Sequence, residues 1–251
     1  MKVAAVQHDI TWEDREATLA HVAPMVATAA AEGARLVVLP EMFAVGFSMT
    51  PEATAEPEGG PTSAWLVEQA HAHDLWIGGS VPEQRGGRPR NVFVLAGPDG
   101  TVHRYAKVHP FTYSGEHEHY DAGDELVTVE VDGVRVSLFV CYDLRFADEF
   151  WELAEGTDLY LVVASWPQSR AHHWRSLLLA RAIENQAYVV GCNRVGDGDG
   201  THYAGGSCIV DPMGQVLASE GDHEAVLFAE IEAATVQTTR ERFPFLRDRR
   251  R

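Results

Sequence analysis

Three side chains stand where an apolar strand gives way to a polar segment: Glu41, Lys107 and Cys141. Together these residue types supply a base, a cation and a nucleophile. Cys141 ends the apolar run of Val136, Leu138, Phe139 and Val140 that follows an Asp132-Gly133 turn. In an open α/β sheet the carboxyl end of a strand is where ligands bind. Asp143 is expected to cap a helix through Phe150, Trp151 and Leu153. The N–H groups and dipole of that helix would favour a thiolate and an oxyanion. Glu41 ends a run that is otherwise apolar, which suits a carboxylate to take a proton. Lys107 precedes a long polar loop, and in a pocket its full charge would hold an oxyanion. Each also has a plainer reading: a small core cysteine, a capping glutamate, a solvated lysine. The three meet only if their strands are neighbours.

The other reactive types are weaker. Glu116-His-Glu-His119 resembles a metal cluster, but a zinc site needs three or four ligands and no further ligand pairs with it. No metal and no cofactor is therefore expected. His172 and His173 open a helix and read as structural. Cys192 and Cys208 lie among small or apolar residues and read as core. Asp197 to Asp199 lacks the later glutamate of a calcium loop.

The chain of 251 residues fits one large α/β domain, over 1–251. Its 20 basic and 37 acidic side chains give a formal charge of -17, which argues against a nucleic-acid partner. A small anionic substrate remains compatible, because it sees only its pocket. Three cysteines without paired spacing fit a reducing compartment. The first strand starts at Val3, leaving no room for a cleavable signal, and no apolar run approaches the ~20 residues of a membrane span. A cytoplasmic protein with no membrane partner is expected.

The elements that must position these groups follow from periodicity. Residues 3–6 and 36–39 read as buried strands joined by a helix over 13–31, which Pro24 must bend or break and Gly33 ends. Residues 43–61 read as loop, 62–73 as helix, and 75–81, 91–95 and 101–105 as strands. Residues 108–124 carry no usable period, and so long a loop is more often functional than idle. Strands follow at 126–131, 134–140, 159–163 and 188–192, with a helix over 172–186. Residues 195–202 read as a Gly/Asp-rich loop. Short strands at 206–210, 215–218 and 225–231 and a helix over 233–240 end the chain. Crossover helices mixed with hairpins suggest a mixed sheet or two sheets, with helices outside.

Three motifs converge on a family. Leu39-Pro-Glu-Met-Phe43, Tyr105-Ala-Lys-Val-His-Pro-Phe111 and Cys141-Tyr-Asp-Leu-Arg-Phe146 resemble, in order, the three signatures of the nitrilase superfamily of carbon–nitrogen hydrolases. Ala164-Ser-Trp-Pro167, His173-Trp174, the 180–186 segment and Gly191-Cys-Asn-Arg194 are similar to its omega-amidase branch. The resemblance implies an α-β-β-α sandwich of two mixed β-sheets flanked by helices, which pairs as a homodimer or higher homo-oligomer. It implies a catalytic triad on Glu41, Lys107 and Cys141 and a fourth glutamate on Glu116, with Glu118 as the other register. Pro110 departs from the pattern, where a bulkier apolar residue is expected.

The implied reaction hydrolyses the terminal amide of a short 2-oxo acid such as 2-oxoglutaramate, through a cysteine thioester. Lys107 and the backbone N–H of Tyr142 would hold the oxyanion. The substrate carboxylate needs a further cation: Arg145, Arg170 or Arg194, with Arg170 preferred. Phe43, Phe111, Tyr113 and Trp166 would form apolar walls. Other amidases of the superfamily, acting on N-carbamoyl compounds, deaminated glutathione or aliphatic amides, share the triad. A silent α/β binding module is the reading of a different class.

Overall fold

The computed structural model describes residues 1–250. The strands sort into two mixed sheets packed face to face, and their period-2 alternation does the sorting. In the strand Lys2–Gln7, Val3 and Ala5 join the core between the sheets, while Ala4 and Val6 join a second core under outer helices. Leu36–Val38 repeats this, with Leu36 and Val38 inward and Val37 outward. The helices Arg15–Ala31 and Pro61–His73 cover that outer face through Val22, Val26, Ala29, Leu66 and Ala70. Asp14 caps the first helix by accepting from the Ala17 N–H at 3.0 Å. Pro24, expected to bend or break this helix, lies inside one continuous element.

The first sheet runs Ala225–Glu230, Lys2–Gln7, Leu36–Val38, Trp76–Gln84, Arg90–Ala96, Val102–Ala106, and the short strand Glu56–Pro57 pairs with Trp76–Gln84. The second runs Val216–Ser219, Cys208–Val210, Tyr188–Asn193, Leu159–Ala164, Val134–Val140, Thr128–Val131. Each has a parallel centre and antiparallel edges. The Cys192 thiol lies between them, 3.4 Å from the Val6 carbonyl and 3.3 Å from that of Val38. This is the α-β-β-α sandwich that the motifs implied.

Two expectations change. Residues 195–202 are not a loop: Val195–Gly198 and Thr201–Ala204 form a separate antiparallel hairpin. Its Gly- and Asp-rich strands pack on the polar Arg194 rather than on an apolar core, so no alternation marks them. Asp143 does not cap the helix after the cysteine. Cys141–Arg145 is a tight 3-10 turn, and the helix Ala147–Leu153 starts beyond it, without a side-chain cap.

On the second outer face the helix Ala171–Asn185 lies against Tyr188–Asn193 through Trp174, Leu178 and Ala182. The approach is so close that a Cβ at Gly191 would fall 2.4 Å from Leu178 Cδ1 and 2.9 Å from Trp174 Cζ2. Gly191→Ala is therefore expected to lower stability by about 1–3 kcal/mol, read from urea denaturation, because helix and strand must part to admit the methyl group. A variant as stable as its parent would refute this reading of the packing.

Candidate active site

Glu41, Lys107 and Cys141 come together, although no two of their strands are neighbours. Two strands separate Leu36–Val38 from Val102–Ala106, and Val134–Val140 belongs to the other sheet. The expected adjacency is replaced by a meeting across the sandwich, at one edge where strands of both sheets end. The Ser165 N–H, just past Leu159–Ala164, donates to Glu41 Oε2 at 2.8 Å and so ties the edges together.

Lys107 is the hub. Its Nζ donates to Glu41 Oε1 at 2.8 Å and to Glu116 Oε2 and Oε1 at 2.8 and 3.1 Å. Asn91 Nδ2 reaches the same two carboxylates, at 2.8 Å from Glu41 Oε1 and 3.1 Å from Glu116 Oε1. The Phe111 N–H also donates to Glu116. All four side chains are buried. Burial alone would lower the lysine pKa, but Glu116 and Glu41 outweigh it and hold Lys107 firmly charged. Burial raises Glu116, Lys107 opposes this, and Glu41 adds to it. Of the two registers, Glu116 faces this cluster, while Glu118 and His117 are exposed. Among the described residues no group of three or more side chains could hold a metal ion.

Cys141 sits at φ +49°, a left-handed conformation rare for a side chain with a Cβ and costing about 1–3 kcal/mol. Asp143 ties down the turn that contains it. Its carboxylate accepts from the Val140 N–H at 3.0 Å, the Tyr105 hydroxyl at 2.8 Å and the His109 N–H at 2.9 Å. Burial nonetheless lifts Asp143 to about 6, against the pull of Lys107 and these donors. The thiol itself is not held as a thiolate. Burial pushes Cys141 well above the usual thiol range, Glu41 adds to this, and Lys107 only partly opposes it. The expected activation by a helix N-terminus is thus absent, because a tight turn occupies that place.

The thiol opens on a cavity of about 240 Å³. Phe111, Tyr113, Tyr142, Arg145, Trp166 and Arg170, all singled out in the sequence, line it. Phe43 does not. The turn at Met42, φ +43°, sends it into the outer core against Trp65, and Phe47 takes the wall instead. Arg194 is no pocket cation either: it is fully buried, 2.8 Å from Asp9 Oδ1, and stacks behind Tyr203. The guanidinium of Arg145 lies 4.9 Å from the Trp166 ring centre, and that of Arg170 lies 5.3 Å from Phe111. Among the described residues neither forms an ion pair with a carboxylate.

Phe47, Asn91, Ser165, Thr201 and Tyr203 were not foreseen. For Asn91 a signal existed: it is an amide at the head of an apolar strand. Asn91→Leu is expected to cut turnover by about 10- to 100-fold and to move the acid limb of the pH–rate profile to higher pH. It removes a donor that favours the charged form of Glu116. A profile that drops in height without moving would show Asn91 to be a packing residue only.

Known proteins are similar to this chain over nearly its whole length. The chain is 45% identical over 251 residues to omega-amidase YafV of Yersinia enterocolitica, covering 99% of this chain and 96% of that one. It is 36% identical over 224 residues to the 2-oxoglutaramate amidase of Bacillus subtilis, covering 87% and 86%. Among solved structures, a CN-hydrolase superfamily protein from Xanthomonas campestris superposes with a TM-score of 0.96 at 37% identity, covering 100% of this chain and 97% of that one. With residues 2–241 also matching the carbon–nitrogen hydrolase family model, the chain belongs to the carbon–nitrogen hydrolase family.

Proposed function

We propose that this enzyme hydrolyses the terminal amide of a short 2-oxo acid, 2-oxoglutaramate or a near relative, to carboxylate and ammonia. The observation that carries the chemistry is the buried Glu41–Lys107–Glu116 cluster beside Cys141 at the cavity, where burial pushes the thiol pKa up. A thiol that rests protonated needs a base in the step in which it attacks. Glu41 takes that proton as Cys141 Sγ bonds to the amide carbon. An ammonium has three N–H donors. Glu41 engages one of those on Lys107 and the two Glu116 oxygens share a second, so the third serves the tetrahedral oxyanion together with the Tyr142 N–H. Glu41 then returns the proton to the departing ammonia, leaving a thioester. Water, activated by Glu41 with Glu116 beside it, cleaves the thioester and restores the thiol.

The substrate reading rests on two arginines that line the cavity and, among the described residues, form no ion pair with a carboxylate, in a chain of net charge -17, and on the omega-amidase and 2-oxoglutaramate amidase relatives. Arg170 or Arg145 receives the substrate carboxylate, and Phe111 and Trp166 flank the carbon chain. The reading also covers the setting: one domain over residues 1–251, a homodimer, a cytoplasmic location and no cofactor. The free cysteines and the exposed Ile183, Met213 and Leu217 are consistent with a reducing compartment and a covered face. Sedimentation velocity tests the dimer.

Ammonia release from 2-oxoglutaramate, glutamine and an uncharged amide of similar length, at one pH, tests the substrate. The 2-oxo acid is expected to lead by a large factor in kcat/KM, because glutamine would bury an unpaired ammonium near Lys107 and Arg170. Arg170→Ala is expected to raise KM for the acid amide more than for the uncharged one. Equal kcat/KM for all three would defeat the substrate assignment and leave the hydrolase standing. Glu41→Gln and Lys107→Ala are each expected to lower kcat at least ~100-fold; near-normal rates in either would remove that residue from the mechanism. Iodoacetamide is expected to modify Cys141 before Cys192 or Cys208. Because the thiol pKa is raised, the rate should keep climbing with pH rather than level off near neutrality.

A further inference from the structure

Tyr203 is buried to 4% exposure, yet it lines the cavity. Three other buried tyrosines spend their hydroxyls on the protein, while Tyr188, whose hydroxyl has no protein partner among the described residues, does not line the cavity. Tyr105 donates to Asp143 at 2.8 Å, Tyr120 to the Ser48 carbonyl at 2.8 Å and Tyr160 to the Phe150 carbonyl at 2.7 Å. Among the described residues the Tyr203 hydroxyl has no such partner, and its oxygen is not among the buried polar atoms left unsatisfied, so it stays open to the cavity.

Its orientation is fixed from behind. The ring lies against Arg194, whose guanidinium carbon is 4.6 Å from the ring centre. Arg194 is locked in turn by Asp9 Oδ1 at 2.8 Å, the Val195 carbonyl at 3.0 Å and the Asp197 carbonyl at 3.1 Å. Across the hairpin Tyr203 pairs with Gly196, at φ +85°, where a Cβ would fall 2.0 Å from Asp9 Oδ1. The wall is rigid, so the phenol is a preorganised donor. Burial, with the field of Glu41, pushes its pKa up to about 12 against Arg194, so the proton stays in place at working pH.

On the reading above, the substrate presents three acceptor groups. Lys107 and the Tyr142 N–H take the amide oxygen, and a cavity arginine takes the carboxylate. The C2 carbonyl is left. We propose that the Tyr203 hydroxyl donates to the 2-oxo oxygen and is a specificity-determining residue for 2-oxo acid amides. This rests on the proposed substrate class and adds to it a single atom-to-atom contact.

The test compares 2-oxoglutaramate with glutaramate, the same acid amide carrying CH2 in place of the C2 carbonyl, for the parent enzyme and Tyr203→Phe. The ring and its stacking on Arg194 survive this change, and an unaltered melting temperature checks the fold. The expected result is a loss in kcat/KM at least tenfold greater for 2-oxoglutaramate than for glutaramate, so that the parent's preference largely disappears. Equal losses on both substrates, or no loss on either, overturn the Tyr203 assignment alone. A parent enzyme active on other amides but not on 2-oxoglutaramate overturns the substrate reading, and the Tyr203 assignment with it.

Discussion

The site depends on one buried ammonium. Among the described residues Lys107 carries the only positive charge in direct contact with Glu41 and Glu116, and all three side chains are withdrawn from water. Taking an ion out of water costs several kcal/mol unless partners compensate, and removing one partner strands the others. With two carboxylates on one ammonium the cluster is short of positive charge, and neutral donors make up part of the difference. Asn91 serves both carboxylates, the Ser165 N–H serves Glu41 and the Phe111 N–H serves Glu116. These bonds also explain how a long connection without periodicity is held. The segment after Lys107 is fastened at Glu116, while Tyr113 at its tip remains 85% exposed.

The second constraint is backbone strain beside the nucleophile. Cys141 and Met42 both adopt positive φ, and each follows a strand of a different sheet. Such conformations persist only where the surroundings over-determine them. At Cys141, Asp143 does so by gathering donors from its own turn, from the end of Val102–Ala106 and from the start of the long connection. Asp143 is therefore a clasp between the two sheets rather than a helix cap.

Much of this was legible in the sequence because apolar runs and their punctuation are local signals. Central strands such as Leu159–Ala164 and Tyr188–Asn193 fell within a residue or two of their expected bounds. Glu41, Lys107 and Cys141 could be singled out because each breaks an apolar pattern at a strand end. Their meeting could not be derived locally, since it is made by the packing of two sheets. The misplacement of Phe43 has a similar origin: one left-handed residue, Met42, reverses which face the next side chain takes. The Val195–Gly198 and Thr201–Ala204 hairpin escaped because its neighbours are polar, and Tyr203 escaped with it. Arg194 misled for the opposite reason, since a guanidinium enclosed by Asp9 and backbone carbonyls reads in sequence like any free cation.

The division of the candidate triad between two sheets sets how the molecule fails. Within a sheet, ladder hydrogen bonds fix strand positions in discrete steps of register. Between sheets, interdigitated side chains and a few hydrogen bonds resist sliding, and these yield by fractions of an ångström. Glu41 and Lys107 ride on one layer and Cys141 on the other, with Cys192 and Ser165 among the few polar stitches between them. Turnover in such an enzyme is a gauge of layer alignment. Heat, pressure or a poorly filled core will silence it by shearing the layers while every strand remains paired, so inactivation runs ahead of the loss of secondary structure.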